Sequence, residues 1–176
     1  LLNSLGTLDT NYDGELKIDN NIINKTTDFA DIRQNKIGFA FQFHHLLPEF
    51  TVYENLQIPL LISKNQESID LIDKVLKFTG LMKRKFHYPN ELSGGEKQRV
   101  SMLRSIINKP KIVIADEPTG NLDSKTSAGI MKLFIKLHKA GNTIIMVTHE
   151  TDIAAYSKRI VRLMDGNIES DFKNSK

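Results

Sequence analysis

LSGGEKQR, residues 92–99, constrains the architecture of this 176-residue chain more tightly than any other segment. It places a hydroxyl and two glycines directly before a helix whose buried side is predicted to be Val100, Leu103 and Ile107. The free N–H groups and the positive dipole end of such a helix start bind anions, and glycines permit a close approach. A bare Ser-Gly-Gly turn is an ordinary way to begin a helix, whereas the full octapeptide is a far more specific indication of an anion-binding turn.

Two nearly continuous apolar runs follow this helix, KIVIAD at 111–116 and TIIMVT at 143–148. Runs of this kind are typical of strands that are buried on both faces of a parallel sheet. Between them, a stripe at helical spacing predicts a helix that stops at Gly141. The residues of this stripe are Ile130, Leu133, Phe134 and Leu137. Strand, helix and strand together predict a crossover unit.

The region before LSGGEKQR changes from strand to helix. Apolar residues alternate with smaller or polar ones at Ile37, Phe39, Phe41 and Phe43. This alternation predicts a strand with one buried face, and Gln42 lies at its end. From 43 to about 110 the pattern is mainly helical, and it includes a helix over 68–80 with Gly80 as its stop. The predicted buried side of that helix carries Ile69, Ile72, Val75 and Leu76.

Both ends of the chain carry shorter signals. Leu1, Leu2 and Leu5 predict a helix that stops at Gly6, and a turn at 11–14 and a short strand at 15–18 follow. Near the other end, 159–164 and 167–170 predict a hairpin around the Asp165-Gly166 dipeptide.

The composition excludes several classes of function. The 24 Lys and Arg residues are spread along the chain against 21 Asp and Glu residues, an excess too weak to indicate nucleic-acid binding. Cysteine is absent, which removes disulfides, thiolate catalysis and Cys-based zinc sites and is compatible with a reducing compartment. No apolar run approaches the roughly 20 residues that cross a bilayer. We expect one functional unit in the cytoplasm.

Two carboxylates and a histidine are predicted at neighbouring strand ends. Asp116 ends the first apolar run and Glu117 directly follows it, while His149 directly follows the second run. Open α/β sheets bind ligands at the carboxyl ends of their strands. One carboxylate there can hold Mg²⁺ while its neighbour polarises water, and the imidazole can donate to a phosphate oxygen. An isolated acid pair is more often a simple strand cap, so this interpretation depends on the other motifs.

These motifs together resemble those of the ABC ATPase family. Residues 92–99 resemble its signature motif, and residues 112–123 resemble its Walker B strand with the D-loop. Gln42 matches the Q-loop glutamine, and His149 matches the switch histidine. The four motifs occur in the family order, and the resemblance covers essentially the whole chain.

The resemblance implies an α/β fold, with a P-loop NTPase-like ABC ATPase core that has a mainly parallel sheet plus a helical subdomain. Residues 1–42 would form the first, truncated part of the core. Residues 43–109 would form the helical subdomain with the signature motif at its end, and residues 110–176 would form the second part of the core.

The resemblance also assigns roles at the nucleotide, with ATP and Mg²⁺ as the cofactors. Asp116 would secure Mg²⁺ through water, and Glu117 would be the general base that activates the attacking water. Gln42 would bind Mg²⁺ and sense the γ-phosphate, which His149 would contact. The implied activity is ATP hydrolysis by a subunit that powers a membrane permease.

Other residues would act across a dimer. Ser93 and Gly95 would bind the triphosphate held by a second copy, and Asp123 would help to join the two sites. The residues expected to bind nucleotide are Ser93, Gly94, Gly95, Glu96 and Asp123. The implied partners are a second copy in a head-to-tail ATP sandwich dimer and an integral membrane permease, with no nucleic acid. The implied location is cytoplasmic and peripheral on the inner membrane.

One family motif is missing, because no G-x-x-x-x-G-K-[ST] sequence occurs in the chain. Residues 1–3 resemble the helix that follows this Walker A loop. We therefore expect the chain to be a fragment of a protein that possesses the loop. Without the lysine that neutralises the β- and γ-phosphates, the fragment alone is predicted to have no detectable ATPase activity.

Two segments indicate the branch of the family. Residues 41–51, followed by Glu54-Asn55-Leu56, resemble the branch that powers lipoprotein release from the inner membrane. The tail from Thr148 onward is more similar to ATPases paired with macrolide- or peptide-exporting permeases. Residues 46–50 would form part of the groove that receives a permease helix, although a simple loop with a buried apolar plug is the alternative.

Two other functions remain open at this point. A non-transport ABC ATPase, acting in cell division or on nucleic acid, would use the same motifs, although nucleic-acid-acting members usually carry a long coiled coil or two tandem cassettes. A module that binds a permease without hydrolysing ATP is the second alternative, which applies if the fragment is the natural protein.

Overall fold

The computed structural model describes residues 1–24, 26–41, 45–63, 69–120 and 122–174. The helices are α1 Leu2–Leu5, α2 Phe29–Asn35, α3 Val52–Ile62, α4 Ile69–Phe78, α5 Gly94–Ile106, α6 Ser124–Lys139 and α7 Thr151–Ala154. The strands are β1 Leu16–Ile18, β2 Asn21–Ile23, β3 Ile37–Ala40, β4 Ile112–Asp116, β5 Thr143–Val147, β6 Arg159–Met164 and β7 Asn167–Lys173. Two short 3₁₀ turns, Met82–Arg84 and Pro89–Glu91, lie between α4 and α5.

A three-stranded parallel sheet in the order β3-β4-β5 positions the candidate site. Helix α6 connects β4 to β5, which confirms the predicted crossover unit. The middle residues of β4, from Val113 to Ala115, are buried as predicted. Strand β5 differs, because Thr143 and Val147 are exposed and the residues between them are only half-buried. The prediction that β5 is buried on both faces is wrong because, among the described residues, only β4 pairs with it.

Strand β3 is shorter and more enclosed than its alternation predicts. It ends at Ala40, so Phe41 lies beyond it, and Phe43 lies outside the described residues. A single buried face is also wrong, since Gly38 and Ala40 are buried on the side opposite to Ile37. A Cβ atom on Gly38 would overlap the backbone oxygen of Ser105, which shows that α5 lies directly against the strand.

Helices α3, α4 and α5 pack into a layer with its own apolar core. Helix α4 is confirmed, with Ile72 and Leu76 buried and Val75 half-buried, while the Ile69 side chain lies outside the described part. Gly80 adopts φ +72°, a left-handed conformation that ends the helix. The core of this layer consists of Val52, Leu56, Leu60, Ile72, Leu76, Leu81, Leu92, Val100, Leu103 and Ile107.

Two further apolar clusters cover the faces of the sheet. One contains Met102 of α5 together with Ile130 and Phe134 of α6, which confirms the stripe predicted for α6. The other packs β1 and β2, through Ile18 and Ile23, against the sheet. Helix α5 therefore contributes to both the helical layer and the sheet layer.

The helix, the short strand and the hairpin that the sequence predicts near the two ends are confirmed. Helix α1 is capped by Gly6, and β6 and β7 form a hairpin around Asp165 and Gly166, whose φ values are +48° and +79°. Strand β7 continues to Lys173, three residues beyond the predicted end. None of the helices in the described part of the chain is long and apolar enough to span a bilayer. The domain boundaries at 42 and 109 stay a prediction.

Candidate functional site

The acid pair lies at the carboxyl end of β4, beside the end of β5. Asp116 is opposite Val147 in the parallel register, and the Glu117 N–H donates to the Val147 carbonyl at 2.9 Å. Glu117 has φ +43°, which is uncommon for a residue with a side chain. Such backbone conformations cost energy and persist only where the surrounding structure holds them in place, and they are frequent at active sites.

Glu117 and His149 form a direct contact across the two strand ends. Oε1 of Glu117 accepts a hydrogen bond from the His149 backbone N–H at 2.8 Å and lies 2.8 Å from its ring Nδ1. The Glu117 side chain is 16% exposed, whereas that of His149 is 79% exposed. The other carboxylate oxygen, Oε2, is buried without a hydrogen-bond partner. The carboxylate is therefore fixed through one oxygen, and the second has a free acceptor capacity.

This contact changes the electrostatics of the histidine. The pKa of His149 is raised above its ordinary value, first by the hydrogen bond to Glu117 and then by the charges of Glu117 and Glu150. Because a carboxylate only accepts hydrogen bonds, Nδ1 carries the proton that lies between the two groups. The raised pKa favours the imidazolium form, in which Nε2 also carries a proton and can donate to an anion.

A second contact between the two strand ends was not predicted from the sequence. The hydroxyl of Thr119, which is buried, donates to Oε1 of Glu150 at 3.1 Å. It ties the turn after Glu117 to the residue after His149, which restrains both members of the Glu117–His149 pair. The only sequence signal was a small hydroxyl residue within 112–123.

The Ser-Gly-Gly turn is a fully formed helix cap. Ser93 is the N-cap of α5, and its hydroxyl accepts from the Glu96 N–H at 3.3 Å. Oε2 of Glu96 accepts from both the N–H and the hydroxyl of Ser93 at 2.9 Å. Oε1 of Glu96 accepts from Nε of Arg84 at 2.9 Å. The guanidinium of Arg84 and the Ser93 bonds lower the pKa of Glu96 to about 2.

The two glycines of the turn have different surroundings. A Cβ atom on Gly95 would lie 2.6 Å from the side chain of Thr126 in α6, so the turn packs closely against that helix. Nothing lies within 4 Å of a Cβ atom on Gly94, which leaves open space beside the helix start. A larger residue at 95 would force Thr126 to move, while the turn at 94 stays accessible to a ligand.

Asp123 is linked to this turn through Thr126. Its Oδ1 accepts from the N–H groups of Lys125 and Thr126 at 3.0 Å, and its Oδ2 accepts from the Thr126 hydroxyl at 2.6 Å. The hydrogen bonds from Thr126 lower the pKa of Asp123. Asp123 therefore caps α6 and lies in the same contact network as Gly95.

The predicted residues fall into two groups within one chain. Glu117 and His149 are in contact beside Asp116, and Ser93, Gly95, Glu96 and Asp123 belong to a network that begins α5 and α6. No hydrogen bond or ion pair in the described ranges joins Ser93 to Glu117 or His149. Gln42 lies outside the described residues, so its predicted role stays a prediction.

A parallel α/β sheet with an acid pair and a histidine at its strand ends, together with a capped glycine turn, is the arrangement expected of a nucleotide-binding ATPase. The family model described as ABC transporter matches residues 1–120. The chain belongs to the ABC transporter family, which confirms the resemblance stated from its motifs.

Two kinds of relative are similar in sequence to this chain. The macrolide export ATP-binding/permease protein MacB of Chlorobium phaeobacteroides is 49% identical over 175 residues, which are 97% of this chain and 26% of that protein. The lipoprotein-releasing system ATP-binding protein LolD of Geobacter metallireducens is 44% identical over 176 residues, which are 97% of this chain and 78% of that protein. The chain thus spans about a quarter of its MacB relative and most of its LolD relative. The predicted branch is confirmed.

Solved structures confirm the fold class. A dimeric, post-hydrolysis structure of the ATP-binding cassette MJ0796 bound to ADP and Pi is similar with a TM-score of 0.89 and 38% identity. The match covers 99% of this chain and 79% of that cassette.

Proposed function

We propose that the chain is the ATP-hydrolysing, nucleotide-binding subunit of a transporter that releases lipoproteins or exports lipophilic or peptide substrates. The observation that carries this proposal is the Glu117–His149 contact at the carboxyl ends of two parallel strands. The similarity to LolD and MacB supports the transport role, and the nucleotide bound to the related cassette supports the ligand.

The proton chemistry follows from the two oxygens of Glu117. Oε1 is held by His149, whereas Oε2 is a buried acceptor without a partner. Oε2 is therefore the atom that takes a proton from the attacking water, which is general base catalysis. Nε2 of His149 lies on an exposed ring and donates to the γ-phosphate when the ring is protonated.

The donor set at the strand end fits Mg²⁺ that arrives with a nucleotide. Mg²⁺ is usually held by one or two carboxylates together with substrate phosphates and water. Asp116 supplies such a carboxylate at the end of β4, and Gln42 is the second proposed ligand. When bound, Mg²⁺ neutralises charge on the phosphate oxygens. Residues described in the structure contain no cluster of three or more potential ligands that would hold a metal without a nucleotide.

Assembly with a second copy completes the proposed site. Gly94 begins α5 beside open space, so a triphosphate held by another copy can reach the turn at this residue. The dimer of the related cassette supports a paired arrangement. In the proposed dimer of this chain, Glu96 and Asp123 act at the interface. Each triphosphate lies between the strand ends of one copy and the glycine turn of the other.

The proposed contact with a permease is the loop of residues 46–50. Leu47 and Phe50 are exposed, while Leu46 packs into the core of the helical layer. The loop thus anchors itself in the core through Leu46 and presents an apolar surface at Leu47 and Phe50. This surface suits an amphipathic helix of a permease. We propose that the protein lies on the cytoplasmic side of the inner membrane, peripherally, through this contact.

The test is ATP hydrolysis by the protein expressed from its complete reading frame. Glu117→Gln removes the acceptor of the water proton and is expected to lower kcat by about 100-fold or more, because general base catalysis contributes this much. Glu169→Gln changes an exposed carboxylate on β7 in the same way and is expected to leave kcat unchanged. Equal kcat values for the two variants would refute the role of Glu117.

A second measurement addresses the 176-residue chain alone. It is predicted to show no detectable ATP turnover, because it contains no lysine and hydroxyl pair of the Walker A type. Turnover comparable with that of a complete family member would overturn this expectation.

A further inference from the structure

The glycine turn contains an electrostatic conflict. Glu96 places its carboxylate in the first turn of α5, where the helix dipole stabilises a negative charge. The same positive potential is what would attract the triphosphate of a second copy. A carboxylate in that place competes with the phosphate for the N–H groups and repels it. The turn therefore needs a compensating positive charge.

Arg84 supplies this charge from another segment. Its Nε donates to Oε1 of Glu96 at 2.9 Å, whereas Ser93 binds the other carboxylate oxygen. The Glu96 side chain is only 17% exposed, so the pair is partly shielded from water, although the Arg84 side chain is 42% exposed. Arg84 thus balances the charge of Glu96 in the first turn of α5.

The position of Arg84 is fixed by its own surroundings. Its backbone N–H donates to Leu81 at 2.8 Å, and its carbonyl accepts from His87 at 2.9 Å. Its Nη1 lies 3.2 Å from Nε2 of His87, which accepts because a guanidinium can only donate. His87 in turn accepts at its carbonyl from Val52 of α3 at 2.9 Å. The guanidinium is therefore held by the helical layer before any ligand binds.

We infer that Arg84 is a positioning residue for the proposed nucleotide sandwich, which cancels the charge of Glu96 so that the Ser93 turn can accept a triphosphate from a second copy. This inference rests on the proposed function. It assigns Glu96 to the cap of α5 and to charge balance with Arg84. Since the Ser93 hydroxyl donates to Glu96, the N–H groups of Gly94 and Gly95 are left as the groups that reach the phosphate.

The test measures ATP-dependent self-association of the protein expressed from its complete reading frame, in a Glu117→Gln background so that bound ATP persists. Arg84→Ala is expected to raise the ATP concentration for half-maximal dimer about tenfold, as for loss of a partly buried charge pair at an interface. Arg84→Ala combined with Glu96→Gln is expected to restore the parent value, since glutamine keeps the cap but carries no charge. For Arg84→Lys, the ATP concentration for half-maximal dimer is expected to be close to that of the parent.

Lys83→Ala is the matched control, because Lys83 is an exposed cation in the same 3₁₀ turn. An Arg84→Ala value equal to that of Lys83→Ala overturns the inference. The inference is also overturned if Arg84→Ala raises the ATP concentration for half-maximal dimer and adding Glu96→Gln does not restore it, because the role of Arg84 would then be structural. A parent protein that shows no ATP-dependent dimer at all refutes the proposed sandwich itself, and this result is distinguishable because it precedes any comparison of variants.

Discussion

The pKa of His149 reports on its contact with Glu117. Since the contact raises this pKa, its stabilising contribution is fully present below the ordinary pKa near 6.5 and is lost as the pH rises through the raised value. We predict that Glu117→Gln lowers the pKa of His149, because it removes the first and second causes of the shift. The measurement is an NMR titration of the ring protons.

Glu150→Gln provides the matched control for this titration. Glu150 raises the pKa of His149 only through its charge, which is the smallest of the named causes. A smaller decrease is therefore expected than for Glu117→Gln. If the pKa of His149 is the same in the parent and in Glu117→Gln, the two side chains are not in contact in solution.

Two glycines differ in what an added methyl group would meet. On Gly38 the new Cβ atom would overlap the backbone of Ser105, so β3 and α5 would have to separate. We predict that Gly38→Ala lowers the free energy of unfolding by about 3 kcal/mol, as overpacking against a rigid neighbour does. On Gly129, within α6, nothing lies within 4 Å, and Gly129→Ala is expected to stabilise by about 0.5 to 1 kcal/mol.

Urea denaturation of both variants measures these changes. The substitutions are chemically identical, so the intrinsic preference of alanine does not account for opposite signs. If Gly38→Ala lowers the free energy of unfolding by no more than a typical surface substitution does, α5 does not pack directly against β3.

Individual residues were predictable where chemistry is local to the sequence. Asp116, Glu117 and His149 follow strand patterns directly, and the structure places them at strand ends as expected. Thr119 and Arg84 were missed because their partners lie 31 and 12 residues away. No periodicity marks such contacts, since they depend on how separate elements meet.

At the scale of elements, Asn55 fixes the loop before α3. It is fully buried, its Oδ1 accepts from the Leu47 N–H at 2.9 Å, and its Nδ2 donates to the carbonyls of Leu47, Phe50 and Thr51. We predict that Asn55→Ala lowers the free energy of unfolding by roughly 2 to 4 kcal/mol, because the substitution removes four hydrogen bonds of a buried side chain and leaves partly buried backbone groups without partners. Amide exchange at Leu47 is expected to accelerate.

Gln57→Ala is the control for this prediction, because Gln57 lies in the same helix and is only half-buried. It is expected to change stability by less than about 0.5 kcal/mol. Slow exchange at Leu47 in Asn55→Ala would mean that the loop is held by its apolar contacts alone.

Elements were predictable where a single segment determines its own structure. The stripe of α6 and the Asp165-Gly166 turn of the β6–β7 hairpin both act within a few residues. The predictions of burial for β3 and β5 were wrong because burial depends on which elements cover each strand. Alternation predicts which side chains share a face, but not whether α5 lies on the other face.

At the scale of the molecule, α5 joins the helical layer to the sheet. Leu103 belongs to the core shared with α3 and α4, while its neighbour Met102 belongs to the cluster that covers β4. The helix also begins at Ser93, so the glycine turn and both cores are parts of one element. A loss of packing in the helical layer therefore weakens the support of α5 against the sheet.

We predict that Leu103→Ala destabilises both layers. Leu103 is 1% exposed, and its truncation leaves a cavity that costs about 2 to 5 kcal/mol. Leu61→Ala makes the same substitution in α3 at a side chain that is 56% exposed, so a change within about 0.5 kcal/mol is expected. Native-state hydrogen exchange should show lower opening free energies in both α4 and β4 for Leu103→Ala. If exchange accelerates in α4 while β4 is unaffected, the two layers unfold independently and α5 does not couple the glycine turn to the sheet.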